Sequence, residues 1–282
     1  MRDKGMQLLA PAKINLSFEI KGRRADGFHE IETLMTPISL FDRLMIEEDA
    51  GNGNRVDFSC DDPSLPAGEE NLVMRAARLF RETTKVSVGL KISLNKEIPH
   101  GAGLGGGSSD AASTLLGLNE LFGTGLKEKQ LVDLGAQLGS DVPFFVLRSA
   151  AICRGRGEIV VPTSLATLNF LLLKPDFSVP TPWAYGKWKN ARELSGVSYE
   201  AQEFSGVRLV NDLERPVFEK FVFLAQVKMW LLEQPEVEAT LMSGSGSTMF
   251  AVMPHTADLD LVARRAKAEL DPRLWTFACE GI

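Results

Sequence analysis

The stretch Pro99-His100-Gly101-Ala102-Gly103-Leu104-Gly105-Gly106-Gly107-Ser108-Ser109-Asp110 decides how the chain is read. Ahead of it Val86, Val88, Leu90, Ile92 and Leu94 alternate with polar or small residues, which is the period of a strand. Behind it Ala111, Ala112, Leu115, Leu118, Leu121 and Phe122 recur at helical spacing, so a helix begins near Ser108. Between the two, glycines leave successive backbone N–H groups free to point into one concavity and let a ligand approach without a Cβ in the way. The helix start adds unpaired N–H donors and the positive end of its dipole. That end is worth about 0.3–1 kcal/mol to an exposed anion and up to about 2 kcal/mol to a sheltered one. The hydroxyls of Ser108 and Ser109 fall where a phosphate oxygen would lie.

Three phosphate-binding loops compete for this pattern. Gly101-x-Gly103-x-x-Gly106 has the dinucleotide spacing, but the strand before it alternates instead of running apolar, and no acidic residue ends a strand about 20 positions on. The Walker loop requires a lysine after its last glycine, where Ser108 stands. What remains is a loop closed by two serines at a helix start, without a lysine of its own. The bland alternative is a flexible turn or helix cap, a costly use of so many glycines.

Upstream, Ile14, Leu16, Phe18 and Ile20 alternate with Lys13, Asn15, Ser17 and Glu19, which predicts a half-buried strand with a polar face. The loop Gly22–Gly27 with its Asp26-Gly27 turn, and a second strand-like run near Ile31, complete a hairpin. Gly51–Glu70, rich in Gly, Asn, Asp and Pro, is expected to be a surface excursion, and Asn71–Arg81 a short helix. Downstream we expect a helix over Lys127–Leu138, strands over Phe144–Ile152 and Leu168–Lys174, and an irregular stretch Pro175–Gly206. One amphipathic helix should then run from Val217 to Leu232, with Lys228 as its polar interruption. Leu241–Met253 reads as strand, glycine turn, strand; a last helix covers Leu259–Leu270 and a last strand Trp275–Cys279. Helices and strands interleave without a repeat, an α+β pattern for which we expect two domains, 1–165 and 166–282.

With 282 residues, 44% of them hydrophobic and 24% charged, the chain has the composition of a soluble globular protein. A net charge of −6 argues against wholesale attraction to nucleic acid or anionic lipid. Cys60, Cys153 and Cys279 form no CxxC pair and there is no signal-peptide pattern, so we expect an unprocessed protein with reduced thiols in a cytoplasmic setting. No 18-residue apolar run suggests a membrane span, and no obligate protein partner is evident. His29, His100 and His255 have no ligand spacing, which leaves no zinc site in view.

Two further residues stand out chemically. Asp141, in Leu138-Gly139-Ser140-Asp141-Val142-Pro143-Phe144-Phe145, lies between a turn and an apolar run. On the residues alone it is equally a partly desolvated catalytic carboxylate or a cap ahead of Pro143. Lys13 and Asn15 share a strand face and can line one pocket, although a solvated strand lysine is the commoner case.

The glycine stretch resembles the second motif of the GHMP kinases. Ala10-Pro11-Ala12-Lys13-Ile14-Asn15 is similar to their N-terminal motif, and Ser243-Gly244-Ser245-Gly246-Ser247-Thr248 to their C-terminal glycine motif, which helps close the site. The resemblance implies an N-terminal domain with the ribosomal-protein-S5-domain-2-like fold, a ferredoxin-like C-terminal domain, and a cleft between them. It implies a transferase using ATP, with Mg2+ carried by the nucleotide. ATP would be bound by Pro99, Gly101, Gly103, Leu104, Gly105, Gly106, Gly107, Ser108 and Ser109. Asp141 becomes the base through likeness to the family's Gly-Ser-Asp-Val-Pro segment, and Lys13 its electrostatic partner.

Within that superfamily, Gly22-Arg23-Arg24-Ala25-Asp26-Gly27-Phe28-His29-Glu30-Ile31-Glu32-Thr33-Leu34 closely resembles a segment of the 4-diphosphocytidyl-2-C-methyl-D-erythritol kinases of non-mevalonate isoprene biosynthesis. That implies a small-molecule acceptor with a cytidine diphosphate handle. Phe28 would offer a stacking face where the family usually has Tyr, His29 a hydrogen-bonding edge, and Tyr185 a second aromatic. Asn15, Gly244 and Ser245 complete the acceptor set. Without the resemblance, Asp26-Gly27 is a hairpin turn and Phe28 a rim aromatic. Arg23 and Arg24 read better as solvated turn arginines than as diphosphate ligands. The segment Ala151–Glu158 also resembles that family and is given no chemistry.

Overall fold

A computed structural model describes residues 5–49, 51 and 53–282. Residues 1–4, the head of the expected unprocessed N-terminus, and Asn52, within the expected surface excursion, lie outside the described residues. Two long strands, β1 (Gly5–Arg23) and β2 (His29–Asp49), form an antiparallel hairpin closed by the pair Arg23 and His29. They organise an eight-stranded sheet with β3 (Val56–Cys60), β4 (Gly89–Asn95), β5 (Ala151–Gly155), β6 (Ile159–Pro162), β8 (Gln202–Phe204) and β9 (Val207–Asn211). A second sheet, in the order β10-β11-β7-β12, is antiparallel throughout: β7 (Asn169–Lys174), β10 (Ala239–Met242), β11 (Met249–Met253) and β12 (Trp275–Glu280).

Four helices cover the first sheet. They are α1 (Leu72–Thr84), α2 (Gly106–Leu121), α3 (Glu128–Leu138) and α4 (Val142–Leu147). Asn71 caps α1, its side chain accepting the Val73 N–H at 2.9 Å. Around the second sheet run α5 (Thr181–Lys187), a 3-10 turn at Trp188–Asn190, α6 (Glu214–Lys220), α7 (Val222–Leu232) and α8 (Leu259–Glu269). The side chains of β7 and β11 alternate between two cores. Leu171, Leu173, Met249, Ala251 and Met253 pack with the helices. Phe170, Leu172, Phe250 and Val252 pack with Ile14, Leu16, Ile38 and Leu40 of the β1–β2 hairpin. Strands buried on both faces account for the continuous apolar run Phe170–Leu173.

Several expectations are corrected. The polar face of β1 is not solvated at Lys13 and Asn15: both are buried, with Gly105 against Lys13 and Gly244 over the pair. The excursion after Gly51 contains β3, whose residues 56–60 pair in parallel with β4. Val142–Leu147 is a helix with Pro143 in its first turn, so only the end of the expected strand Phe144–Ile152 survives, as β5. The single helix expected over Val217–Leu232 is broken at Phe221 into α6 and α7. Lys228 is fully buried and paired with Glu214 at 2.5 Å. β9 returns from the second half to pair in parallel with β1 at Ser17 and Phe18.

The Glu214–Lys228 pair does more than fill space. Glu214 also accepts the Met242 N–H at 3.0 Å, where β10 ends and the Ser243–Thr248 turn begins. Asn211 donates to the carbonyls of Met242 and Gly244 at 2.7 and 2.8 Å. Removing one partner of such a pair strands a buried charge, whereas replacing both leaves none. Lys228→Ala should therefore lower unfolding free energy by about 3–5 kcal/mol. The double variant Glu214→Gln/Lys228→Met keeps an acceptor for Met242 and should stay within about 2 kcal/mol of wild type. Urea denaturation measures both, and equal losses would show that the pairing is not what the site's floor rests on.

Candidate active site

The two glycine-bearing motifs converge around Lys13. Its backbone N–H donates to the Leu104 carbonyl at 2.9 Å, which pins the glycine loop to β1. The Ser243 hydroxyl donates to the Gly103 carbonyl at 2.9 Å, and the Thr248 N–H to the Ala102 carbonyl at 3.1 Å. Gly103 has φ +77°, and a Cβ on it would overlap the carbonyl oxygen of Ser243. Gly244, at φ +55°, lies over the polar pair below: a Cβ there would sit 3.1 Å from Asn15 Oδ1 and 3.3 Å from Lys13 Nζ. Helix α2 begins at Gly106, so Gly106 and Gly107 form its first turn instead of belonging to the loop. The Ser109 N–H already bonds the Gly105 carbonyl at 3.0 Å; the amides before it lack intrahelical acceptors and form the helix mouth.

Lys13 is fixed from below. Its ammonium donates to Asn15 Oδ1, Asn15 Nδ2 donates to Thr33 Oγ1 at 2.8 Å, and Thr33 Oγ1 donates to the Ser17 carbonyl at 2.5 Å. Burial lowers the Lys13 pKa, while Asp141 and Cys153 pull it back up. Burial pushes the Cys153 thiol up to about 12, leaving it neutral at ordinary pH, so Asp141 supplies the opposing charge. Asp141 occupies the cap position of α4 but makes no side-chain capping bond. The bland reading of this residue as a helix cap therefore has no hydrogen bond behind it.

Aromatic side chains line the same cavity. His29 stacks on Tyr185, ring centroids 5.2 Å apart at 28°, and Trp188 meets His29 edge-on at 5.9 Å. Burial, with the Arg23 charge adding, lowers the His29 pKa and favours the neutral ring, which has one donor and one acceptor nitrogen. Burial also drives the Tyr185 phenol well above its ordinary pKa, reinforced by the charge of Asp141. Phe28 is half exposed, and the Arg156 guanidinium lies 4.9 Å from its ring centroid, on the face expected to be free for stacking. Arg24 is tied to Asp26 and Glu30, whereas Arg23 lines the cavity. Thr181 and Ser245 share a hydrogen bond of 2.7 Å where α5 meets the glycine turn.

A single cavity of about 1250 Å³ joins these parts. Every candidate residue read from the sequence lines it except Ser109. Ser109 is a correction: it is fully buried within α2, its hydroxyl has no partner, and it cannot touch a ligand in the cavity. The sequence reading missed Arg156, Trp188 and Lys96, which also line the cavity. Arg156 sits in the segment given no chemistry, and a basic residue flanked by two glycines was the available signal.

A model of the GHMP kinases N terminal domain matches residues 71–149. A 4-diphosphocytidyl-2-C-methyl-D-erythritol kinase from Methylacidiphilum infernorum (isolate V4) is 44% identical over 274 residues, spanning 94% of this chain and 93% of its own. The enzyme of the same name from Syntrophotalea carbinolica is 40% identical over 285 residues, covering 97% and 98%. A crystal structure of 4-(cytidine 5'-diphospho)-2C-methyl-D-erythritol kinase superposes with a TM-score of 0.79 at 37% identity, covering 98% of this chain and 100% of that one. Homoserine kinase from Cytophaga hutchinsonii, only 18% identical, shares the fold with a TM-score of 0.74 over 100% of this chain and 96% of its own. With full-length relatives at this level and the glycine loop, lysine and aspartate gathered on one cavity, the chain belongs to the 4-diphosphocytidyl-2-C-methyl-D-erythritol kinase family of the GHMP kinases.

Proposed function

We propose that this chain moves the γ-phosphoryl group of ATP onto the 2-hydroxyl of 4-diphosphocytidyl-2-C-methyl-D-erythritol, giving ADP and the 2-phosphate, a step of the non-mevalonate route to isoprenoids. The observation that carries this reading is one cavity that holds a helix mouth and the Lys13–Asp141 charge pair together with the His29–Tyr185 stack. The helix mouth and the charges suit a polyphosphate and an alcohol, the stacked rings a pyrimidine.

In this reading the backbone amides of the glycine loop and the start of α2 hold the triphosphate. Asn15, Gly244 and Ser245 hold the methylerythritol end, and Phe28, His29 and Tyr185 the cytosine. Arg156 reaches Phe28, and its neighbour Gly157 lies against Ser140 and Asp141, so its charge falls where a diphosphate would join base to reacting hydroxyl. A carboxylate is too weak a base to strip an aliphatic alcohol in the ground state. In a loose phosphoryl transition state the proton leaves late, so Asp141 orients the oxygen and accepts its proton as the new O–P bond forms and the bond to ADP breaks. Lys13 neutralises charge on the oxygens in flight.

Mg2+ enters with ATP. Among the described residues no group of three or more His, Cys, Asp or Glu could hold a metal ion. The cavity's oxygen donors suit a hard cation, which the nucleotide's own phosphates would hold, and bound there it would screen their charge. We assign residues 1–165 to a ribosomal-protein-S5-domain-2-like unit and 166–282 to a ferredoxin-like one, with β8 and β9 returning to the first sheet. No helix among the described residues is long and apolar enough to cross a membrane, and a cytoplasmic setting suits three unpaired cysteines.

ADP release should be measured with 4-diphosphocytidyl-2-C-methyl-D-erythritol, mevalonate, phosphomevalonate and homoserine as acceptors; turnover of mevalonate alone would overturn the acceptor assignment. Asp141→Asn should cut kcat by roughly a thousandfold with ADP affinity nearly unchanged, and a variant retaining more than about a tenth of the rate removes Asp141 as base. Tyr185→Ala should raise the acceptor KM roughly tenfold, at the usual worth of a base–aromatic stack, while Tyr185→Phe keeps the wild-type value. Loss in both variants would mean that the hydroxyl and not the ring is used.

A further inference from the structure

Three charged side chains lie buried beneath the mouth of α2. Asp42 comes from β2, Lys96 from the connection that follows β4, and Asp110 from α2 itself. The Lys96 ammonium donates to Asp42 Oδ2 and, at 2.9 Å, to Asp110 Oδ2. The other Asp42 oxygen accepts the N–H groups of Glu97 and Ile98 at 2.7 and 2.9 Å. Asp110 Oδ1 is buried and has no partner. A Cβ on Gly106 would come within 3.2 Å of Lys96 Nζ and 3.3 Å of Asp42 Oδ2, so the cluster touches the first residue of the helix. Lys96 and Asp110 also line the cavity.

Fully ionised, two carboxylates and one ammonium leave a net negative charge in a nearly dry place, which is costly. It would lie where the phosphates of a nucleotide arrive, and like charges there repel. Lys96 and Asp42 are the charged groups that face Asp110. What α1, α3, α4 and β1 turn toward α2 is apolar, including Val73, Ala76, Leu131, Phe144 and Leu8. Lys13 of β1 has its charge partner in Asp141. Nearby, Glu97 pairs outward with Arg43 at 3.2 Å, and Asp61 takes the backbone N–H of Lys96 at 2.9 Å.

We propose that Asp110 is a positioning residue that takes up a proton from solvent as the nucleotide's phosphates enter the glycine loop. The cluster beneath Gly106 then becomes neutral while Lys96 keeps its place. This rests on the glycine loop being the nucleotide site. Burial, opposed by Lys96 and reinforced by Asp42, pushes the Asp110 carboxyl up to about 7. A carboxyl in that range is half protonated near neutrality, and added negative charge raises its proton affinity further. Binding therefore consumes a proton, and nucleotide affinity falls as pH rises above about 7.

The test is calorimetry of MgADP binding to the wild-type chain and to Asp110→Asn at pH 7.5, in two buffers of different ionisation enthalpy. If bound phosphate raises the carboxyl by about one pH unit, wild type should take up about half a proton more than the variant. Its affinity should fall roughly fourfold from pH 7 to 8.5, whereas the asparagine, uncharged throughout, gives a flat profile. Wild type binding without proton uptake, or the two proteins sharing one pH profile, overturns the proposal and leaves the nucleotide site standing. Failure of wild type to bind MgADP at all overturns both.

Discussion

The backbone of Gly103 lies so close beneath the carbonyl of Ser243 that no side chain fits between them, and the arrangement of the site depends on that contact. It joins a loop near the middle of the chain to a turn near its end, while the Lys13 N–H to Leu104 carbonyl bond joins the same loop to the first strand. Three segments far apart in sequence are thereby locked through main-chain atoms, which have few ways to relax. Side chains then need only local support. Lys13 rests on Asn15 and Thr33, and Asp141 is delivered by a short helix whose apolar residues anchor it in the core.

Charge is organised on the same plan. Lys13, Lys96 and Lys228 are all buried, and each answers to a carboxylate from another element. Such pairs add little net stability because desolvation offsets most of their attraction, but breaking one is expensive. Glu214 ties this to geometry by holding both Lys228 and the backbone where the Ser243 turn begins.

Much of this was legible before any coordinates. The period of Val86–Leu94, the glycines, and the helical spacing from Ala111 locate strand, loop and helix, and the hairpin read around Asp26-Gly27 forms between β1 and β2. The errors share a physical origin. Phe144–Leu147 is an apolar run too short to show a period, so strand and helix looked alike there. Ser109 looked like a ligand because hydroxyl count does not tell which side of a helix faces the cavity. The site residues overlooked, Arg156, Trp188 and Lys96, owe their roles to neighbours far away in sequence, such as Phe28, His29 and Asp42. The return of β9 to β1 carried no local mark at all.

That return shapes how the enzyme can move. β9 runs beside β1, the Asp212 N–H bonds the Phe18 carbonyl at 2.9 Å, and at the far end Gly281 bridges to Ile38. The halves are stitched by main-chain ladders at two places, so swinging them apart like a hinged jaw would tear hydrogen bonds that water must then replace. Where only side chains meet, as Arg156 does over the half-exposed ring of Phe28, no such ladder stands in the way of rearrangement.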